Sequence, residues 1–213
     1  MDKQRILALL IILLSFIVAF WLYPILPYPM PSHWNIKGEV DGYMPKLFAL
    51  FLIPVISLFC FALFVKLPDL DPKKQNIESF KKYYDTFILV FILFFFYLYA
   101  LMILYSLNPV FNMGFMLIPA FAFLFFYVGI LCEHAKQNWF IGIRTPWTLS
   151  NETVWNKTNR LGGKIFILVG ILLIVCIVLP PAIFWGLFIV GIAITVIVPM
   201  VYSFVLYKKI EKK

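Results

Sequence analysis

The sequence predicts an all-α integral membrane protein: six transmembrane helices in three hairpins, with both termini in the cytoplasm. Three observations carry that prediction. Of the 213 residues, 63% are hydrophobic and 13% charged, whereas a soluble domain is about half apolar and about a quarter charged. Six stretches, 6–25, 47–65, 87–107, 111–131, 165–179 and 182–207, contain no Asp, Glu, Lys or Arg. A bilayer core needs about 20 apolar residues per helix, and all but the fifth stretch approach or exceed that. The fifth is expected to borrow 161–164, with Lys164 snorkelling to the interface. Finally, if the N-terminus is inside, 16 of the 18 Lys and Arg fall in cytoplasmic segments, and only Lys37 and Lys46 face out. Basic residues in short loops are retained on the cytoplasmic side. The formal charge of +8 therefore reports orientation, and no direct nucleic-acid contact is needed to explain it.

Taken in chain order, the first span carries Lys3 and Arg5 on its flank. It is too long for a signal-peptide core and reads as an uncleaved anchor. An outer loop, 26–46, joins it to the second span, and 1–65 reads as an N-terminal two-helix membrane domain. The remaining chain, 66–213, reads as a four-helix membrane domain. It opens with an inner loop in which Asp71-Pro72 is expected to start an interfacial amphipathic helix, with Ile77, Phe80 and Tyr84 at helical spacing, that runs into the third span. A tight turn at 108–110 separates the third and fourth spans. The long inner loop 132–164 is punctuated by Gly142 and Pro146. Thr148 or Ser150 is expected to cap a short surface helix whose first turn carries Glu152. On that helix Val154, Trp155, Thr158, Leu161 and Gly162 share one face, and it enters the fifth span through a flexible Gly162-Gly163 junction. The Pro180-Pro181 break leads into the sixth span, where Ala182 and Gly186 form a small-xxx-small pair suited to helix packing.

Chemistry is sparse. The spans hold no ionisable side chain of the kind that proton relays and ion pathways use. No HExxH, GxSxG, P-loop, GxGxxG or CxxC spacing occurs. The chain reads as a binding protein with no cofactor and no catalytic residues, and a small-solute channel or transporter is the rival reading. Cys60, Cys132 and Cys176 are scattered and odd in number, which implies no disulfide framework. In the outer loop, His33, Glu39 and Asp41 are residue types that bind metals or act as acid and base. The surrounding prolines, Gly38, Gly42, Asn35, Trp34 and Tyr43 favour instead a folded loop that meets a ligand. In the inner loop, Arg144 lies among Trp139 and Trp147. Such an arginine pairs with a carboxylate, a carbonyl cluster, a lipid phosphate or an aromatic face. The reading preferred here buries Arg144 against Glu152, Glu133 or loop carbonyls, and leaves Trp147 and Trp155 as the exposed contact residues.

The string IGIRTPWTLSNETVW followed by KTNRLGGK resembles the signature of the SdpI family of bacterial immunity proteins. The outer-loop pattern PxHWNxxGExDGY resembles the membrane domain of unknown function that precedes that signature in the longer members. The positions that match are His33, Asn35, Gly38, Asp41 and Gly42 outside. Inside they are Gly142, Arg144, Thr145, Pro146, Trp147, Thr148, Trp155, Thr158, Arg160 and Gly162. The resemblance implies protection against a secreted, membrane-active peptide toxin, and retention of a small helix-turn-helix transcriptional repressor at the membrane. Relatives often carry His before the arginine that matches Arg160. Here that position is Asn159, which cannot titrate.

Overall fold

In hydrocarbon every backbone N–H and C=O must be bonded within its own segment, so long apolar stretches become helices. The structure, a computed structural model, describes residues 2–212, the Pro181 side chain excepted. Among those residues six helices are long and apolar enough to cross a membrane. They are α1 (Lys3–Leu22), α2 (Lys46–Lys66), α4 (Lys81–Leu107), α5 (Met113–His134), α7 (Glu152–Val175) and α8 (Pro181–Glu211), with short helices α3 (Lys74–Ser79) and α6 (Pro146–Ser150) between them. Their outward faces are apolar: Phe20, Trp21, Phe48, Phe59, Val175 and Ile189 are all exposed. Apolar surface on that scale is unsustainable in water and is ordinary when lipid is the solvent. The hydroxyls of Ser15 and Ser106 bond to their own helices, at the Ile11 and Met102 carbonyls.

The central helix is α4. At one end of the bundle the Tyr84 hydroxyl donates to the Phe64 carbonyl, and at the other the Tyr99 hydroxyl donates to the Ser15 carbonyl. Asp85, almost fully buried in the first turns of α4, accepts Arg5 of α1 at 2.7 Å and Lys81 at 2.6 Å. A core cluster with Ala8, Phe61, Tyr84, Ile88, Leu131 and Trp155 runs from α1 and α2 through α4 to α5 and α7. It therefore crosses residue 65.

Helices α5 and α7 approach closely because glycine faces glycine. A Cβ on Gly163 would stand 2.7 Å from the Gly129 carbonyl oxygen, and one on Gly170 would stand 2.7 Å from that of Ala122. The expected hinge at Gly162-Gly163 is thus absent. The two residues lie inside one continuous helix, and the missing side chains are used for contact instead of flexibility. Helix α7 also begins at Glu152, so the fifth span is longer than its uncharged stretch. By contrast Gly186 has nothing within 4 Å of where its Cβ would be. The Ala182/Gly186 pair packs against no other helix here. Helix α8 is joined to α5 through Phe121, Phe125, Trp185 and Phe188.

The segment between α1 and α2 folds as a β-hairpin, β1 (Met30–Trp34) and β2 (Val40–Met44), antiparallel with Met30 opposite Met44 and Trp34 opposite Val40. Its turn is built by Asn35, whose side-chain oxygen accepts the N–H groups of Lys37 and Glu39. Gly38 takes φ +81°, a left-handed conformation that a side chain would strain. Asn112, at the start of α5, clamps the turn by donating to the Lys37 carbonyl at 2.7 Å.

Candidate functional site

The region that resembles the family signature closes the end of the bundle opposite the hairpin. It is organised by side chains that bond to backbone. Thr145 and Thr148 cap α6 reciprocally: each hydroxyl accepts the other's N–H, at 3.1 and 2.8 Å. The Thr145 hydroxyl also lies 3.0 Å from that of Ser203 on α8. Pro146 at the first helical position explains why the cap is Thr145, since proline there needs no N–H partner. The cap of α7 is Asn151, accepting from the Val154 N–H at 3.0 Å. Neither Ser150 nor Thr148 serves there, because α6 already uses both residues: the Ser150 hydroxyl donates back to the Pro146 carbonyl.

From Asn151 onward, Val154, Trp155, Thr158 and Gly162 lie on one face as their spacing predicts, and that face is buried, with Leu161 half-buried beside it and Arg160 exposed. Trp155 has no exposed surface, and its indole N–H donates to the Ala135 carbonyl at 2.8 Å. Asn159 is buried as well. Its oxygen accepts the Ile143 N–H at 2.8 Å and its amide donates to the Trp155 carbonyl. It thereby fixes the loop where Gly142 takes φ +107°. The non-titrating residue at this position is a staple between loop and helix. The Thr158 hydroxyl is buried with no hydrogen-bond partner among the described residues.

Arg144 is exposed, and its guanidinium donates to the Trp139 carbonyl at 2.6 Å. Of the partners weighed for it, the loop carbonyl is the one found; Glu133 and Glu152 are not bonded to it. The expected division of roles is reversed. Arg144 and Trp139 present outward, Trp147 is half-buried against Phe204 with ring centres 5.0 Å apart, and Trp155 is core.

Four residues hold this cap together, and of these the sequence singled out only Asp71, as a helix cap. Asn138, fully buried, accepts the N–H groups of Phe140 and Ile141. Gln137 donates to the carbonyls of Thr148 and Leu149 and accepts the Lys73 ammonium. Asn76 donates to the Gln137 carbonyl at 2.7 Å. Asp71 accepts the Lys73 N–H at 2.7 Å and the Trp139 N–H at 2.8 Å. Asp71 is therefore not the cap of α3, which starts after Lys73. Its carboxylate instead bridges the two loops. Nearby, the Asp69 carboxylate, hydrogen-bonded at 2.6 Å, raises the Lys74 ammonium above its usual range. Asparagine and aspartate in loops do signal local turns, but which distant strand they reach is not written in their spacing.

At the hairpin end, His33 Nδ1 lies 2.5 Å from the Asp41 carboxylate, across the strands. Asn35 donates to Glu39 at 3.0 Å. Tyr43 is exposed, whereas Trp34 is half-buried edge-on to Tyr105. Among the described residues no group of three or more His, Cys, Asp or Glu is placed to hold a metal ion.

These features define a multi-pass helical membrane protein with a hydrogen-bonded loop cap at one end of the bundle and a β-hairpin at the other. Comparison with known proteins narrows the class. The model of the SdpI/YfhL protein family matches residues 134–203, from the last residue of α5 through most of α8. That of a domain of unknown function, DUF1648, matches 10–58, which contains the hairpin. Over 209 residues, 98% of this chain and 98% of the relative, the sequence is 28% identical to Immunity protein SdpI of Bacillus subtilis (strain 168). The chain is thus similar to the SdpI/YfhL family over residues 134–203 and to an SdpI immunity protein along nearly its whole length. No solved structure matches it.

Proposed function

We propose that this protein protects the cell that makes it against a secreted, membrane-active peptide toxin, by binding and without turnover. The observation that carries this reading is similarity to an immunity protein along nearly the whole of both chains. In the proposal the chain sits in the cytoplasmic membrane as three hairpins with both termini inside. Its parts are an N-terminal two-helix domain, 1–65, and a four-helix domain, 66–213. The basic asymmetry supports that orientation, with Lys37 and Lys46 beside the hairpin and the remaining Lys and Arg elsewhere.

The hairpin then faces outward as the surface met by the toxin. His33, Trp34, Asn35, Gly38, Asp41 and Tyr43 build it, and the exposed Tyr43 and Ile36 offer apolar contact. The loop cap faces the cytoplasm, and Arg144 with Trp139 is the exposed pair available to a small helix-turn-helix repressor. Binding of the repressor would be protein to protein, with no direct contact between this chain and DNA. The test is survival of a sensitive host under toxin challenge. Expression of the chain should restore growth, and Tyr43→Ala or Ile36→Ala should reduce protection at unchanged membrane abundance. Failure of the unaltered chain to protect a sensitive host against any secreted, membrane-active peptide toxin tested would overturn the immunity reading. Full protection by both variants would overturn the role of the hairpin alone.

A further inference from the structure

The formal charge of +8 is not spread over the molecule. Beside the hairpin, Lys37 and Lys46 are matched by Glu39 and Asp41, so the whole excess lies towards the end of the bundle that carries the cap. Most carboxylates at that end are already engaged. Asp85 takes Arg5 and Lys81, Asp2 takes Lys81, Asp69 takes Lys74 and Glu211 takes Lys208. Asp71 is occupied by the backbone N–H groups of Lys73 and Trp139.

On α7 the cations stand without such partners. Lys157, Arg160 and Lys164 are all exposed, and spacings of three and four residues set them in one row along the helix. Among the described residues none of the three forms an ion pair. The carboxylates nearest in the chain and across the α5 contact are Glu152 and Glu133, the latter packed on Gly163, and neither forms an ion pair there either. Lys136, exposed beside the Ala135 carbonyl that holds Trp155, adds a fourth cation to the row. The row continues past Lys164 at the same spacing through Leu168, Ile171 and Val175, all exposed. One outward face of α7 thus changes from cationic to apolar within a single turn. Lys157 stands about 10 Å beyond Lys164 along the axis. The cations therefore span the depth of lipid headgroups and the apolar residues the depth of acyl chains. An acidic soluble protein would complement only the first half of this face, whereas a phospholipid with a negative head complements both.

We propose that this face of α7 gathers anionic phospholipid from the surrounding leaflet. Headgroups lie against Lys157, Arg160 and Lys164, and acyl chains run along Leu168, Ile171 and Val175. Each basic side chain held near an anionic surface adds to the attraction. Trp155, Asn159 and Gly162 lie on the buried side of the same helix, so the lipid fixes the depth of α7 without entering the cap. This assignment stands apart from the immunity reading and survives or fails without it.

The test is fluorescence quenching in mixed vesicles of phosphatidylglycerol and phosphatidylcholine, with one or the other lipid carrying bromine on its acyl chains. A fluorophore is placed by Leu168→Cys, or by Phe123→Cys on the exposed side of α5, in the full chain without Cys60, Cys132 and Cys176. At 168 the brominated phosphatidylglycerol is expected to report a local enrichment of about threefold or more over phosphatidylcholine, and at 123 none. Combining Lys157→Gln, Arg160→Gln and Lys164→Gln should leave Tm unchanged and abolish the enrichment at 168, and raised sodium chloride should weaken it. If the cysteine-free chain does not fold, association of spin-labelled phosphatidylglycerol with the unlabelled protein and with the triple variant decides. Equal quenching by the two lipids at 168 would overturn the proposal and leave an acidic protein as the partner of the row. Equal enrichment at 168 and 123, or enrichment that persists in the triple variant, would overturn the assignment to these three cations.

Discussion

Replacing Trp155 should damage this protein far more than replacing Arg144. Trp155 is wholly enclosed at the junction of α7, α5 and the loop cap, and its N–H bonds to the Ala135 carbonyl at 2.8 Å. Truncating such a ring to alanine costs about 3–5 kcal/mol in packing, and the orphaned carbonyl adds about 1–3 kcal/mol. Typical total stabilities are about 5–15 kcal/mol, so Trp155→Ala is expected to be nearly absent from the membrane. Trp155→Phe is the more informative change, because it keeps most of the ring and removes the N–H. Its cost of about 1–3 kcal/mol, at about 2–4 °C per kcal/mol for a chain of this size, lowers Tm by about 2–12 °C. Arg144→Ala loses one hydrogen bond from an exposed side chain to the Trp139 carbonyl, which is worth about 0.5–1.5 kcal/mol. The assay is thermal melting of the three proteins in one detergent, read beside their membrane abundance. A larger loss of Tm in Arg144→Ala than in Trp155→Phe would refute the reasoning and restore the buried-arginine reading that the sequence suggests.

Gly163→Val places a Cβ 2.7 Å from the Gly129 carbonyl and 3.1 Å from the Glu133 N–H. It should cost at least about 1–3 kcal/mol by overpacking, whereas Gly186→Val, with open space around it, should leave membrane abundance unchanged. Asp71→Asn keeps the shape of the side chain but turns one acceptor into a donor facing the Trp139 or Lys73 N–H. Limited proteolysis should then cut within 136–150 several-fold faster, with the bundle's melting lowered by no more than about 1–3 kcal/mol. Cysteines introduced at 37 and 157, in a background without Cys60, Cys132 and Cys176, should label from opposite faces of the membrane. Labelling of both from one face would overturn the proposed orientation.

Much of the site was visible in the linear chain as residue identity. The Gly142–Gly162 string and the His33–Tyr43 pattern marked the two ends of the bundle where structure departs from plain helix. The Val154, Trp155, Thr158, Gly162 face of α7 was also legible, since helical spacing alone aligns those positions. The roles inside the site were not. Arg144 and Trp155 exchanged places because exposure depends on which surface arrives from elsewhere in the chain. For Trp155 that surface is the Ala135 carbonyl, 20 residues away. Gln137 and Asn138 look like ordinary loop residues, and Asp71 like a helix cap, until the loops containing Asp71 and Trp139 are placed side by side.

Six membrane-length helices could be read from composition because hydrocarbon enforces a local rule: each segment must satisfy its own backbone, and uncharged stretches of about 20 residues have one way to do so. Turns at Asn35 and Gly38 are similarly local. The tertiary structure decided how Gly162-Gly163 is used, as part of a close helix crossing and not as a hinge. It also decided that Asp85 is a buried partner of Arg5, and that the hairpin is clamped by Asn112. Each of these depends on a contact between residues distant in sequence. Spacing along the chain encodes the face of a helix, while the identity of what packs on that face is settled by the whole bundle at once.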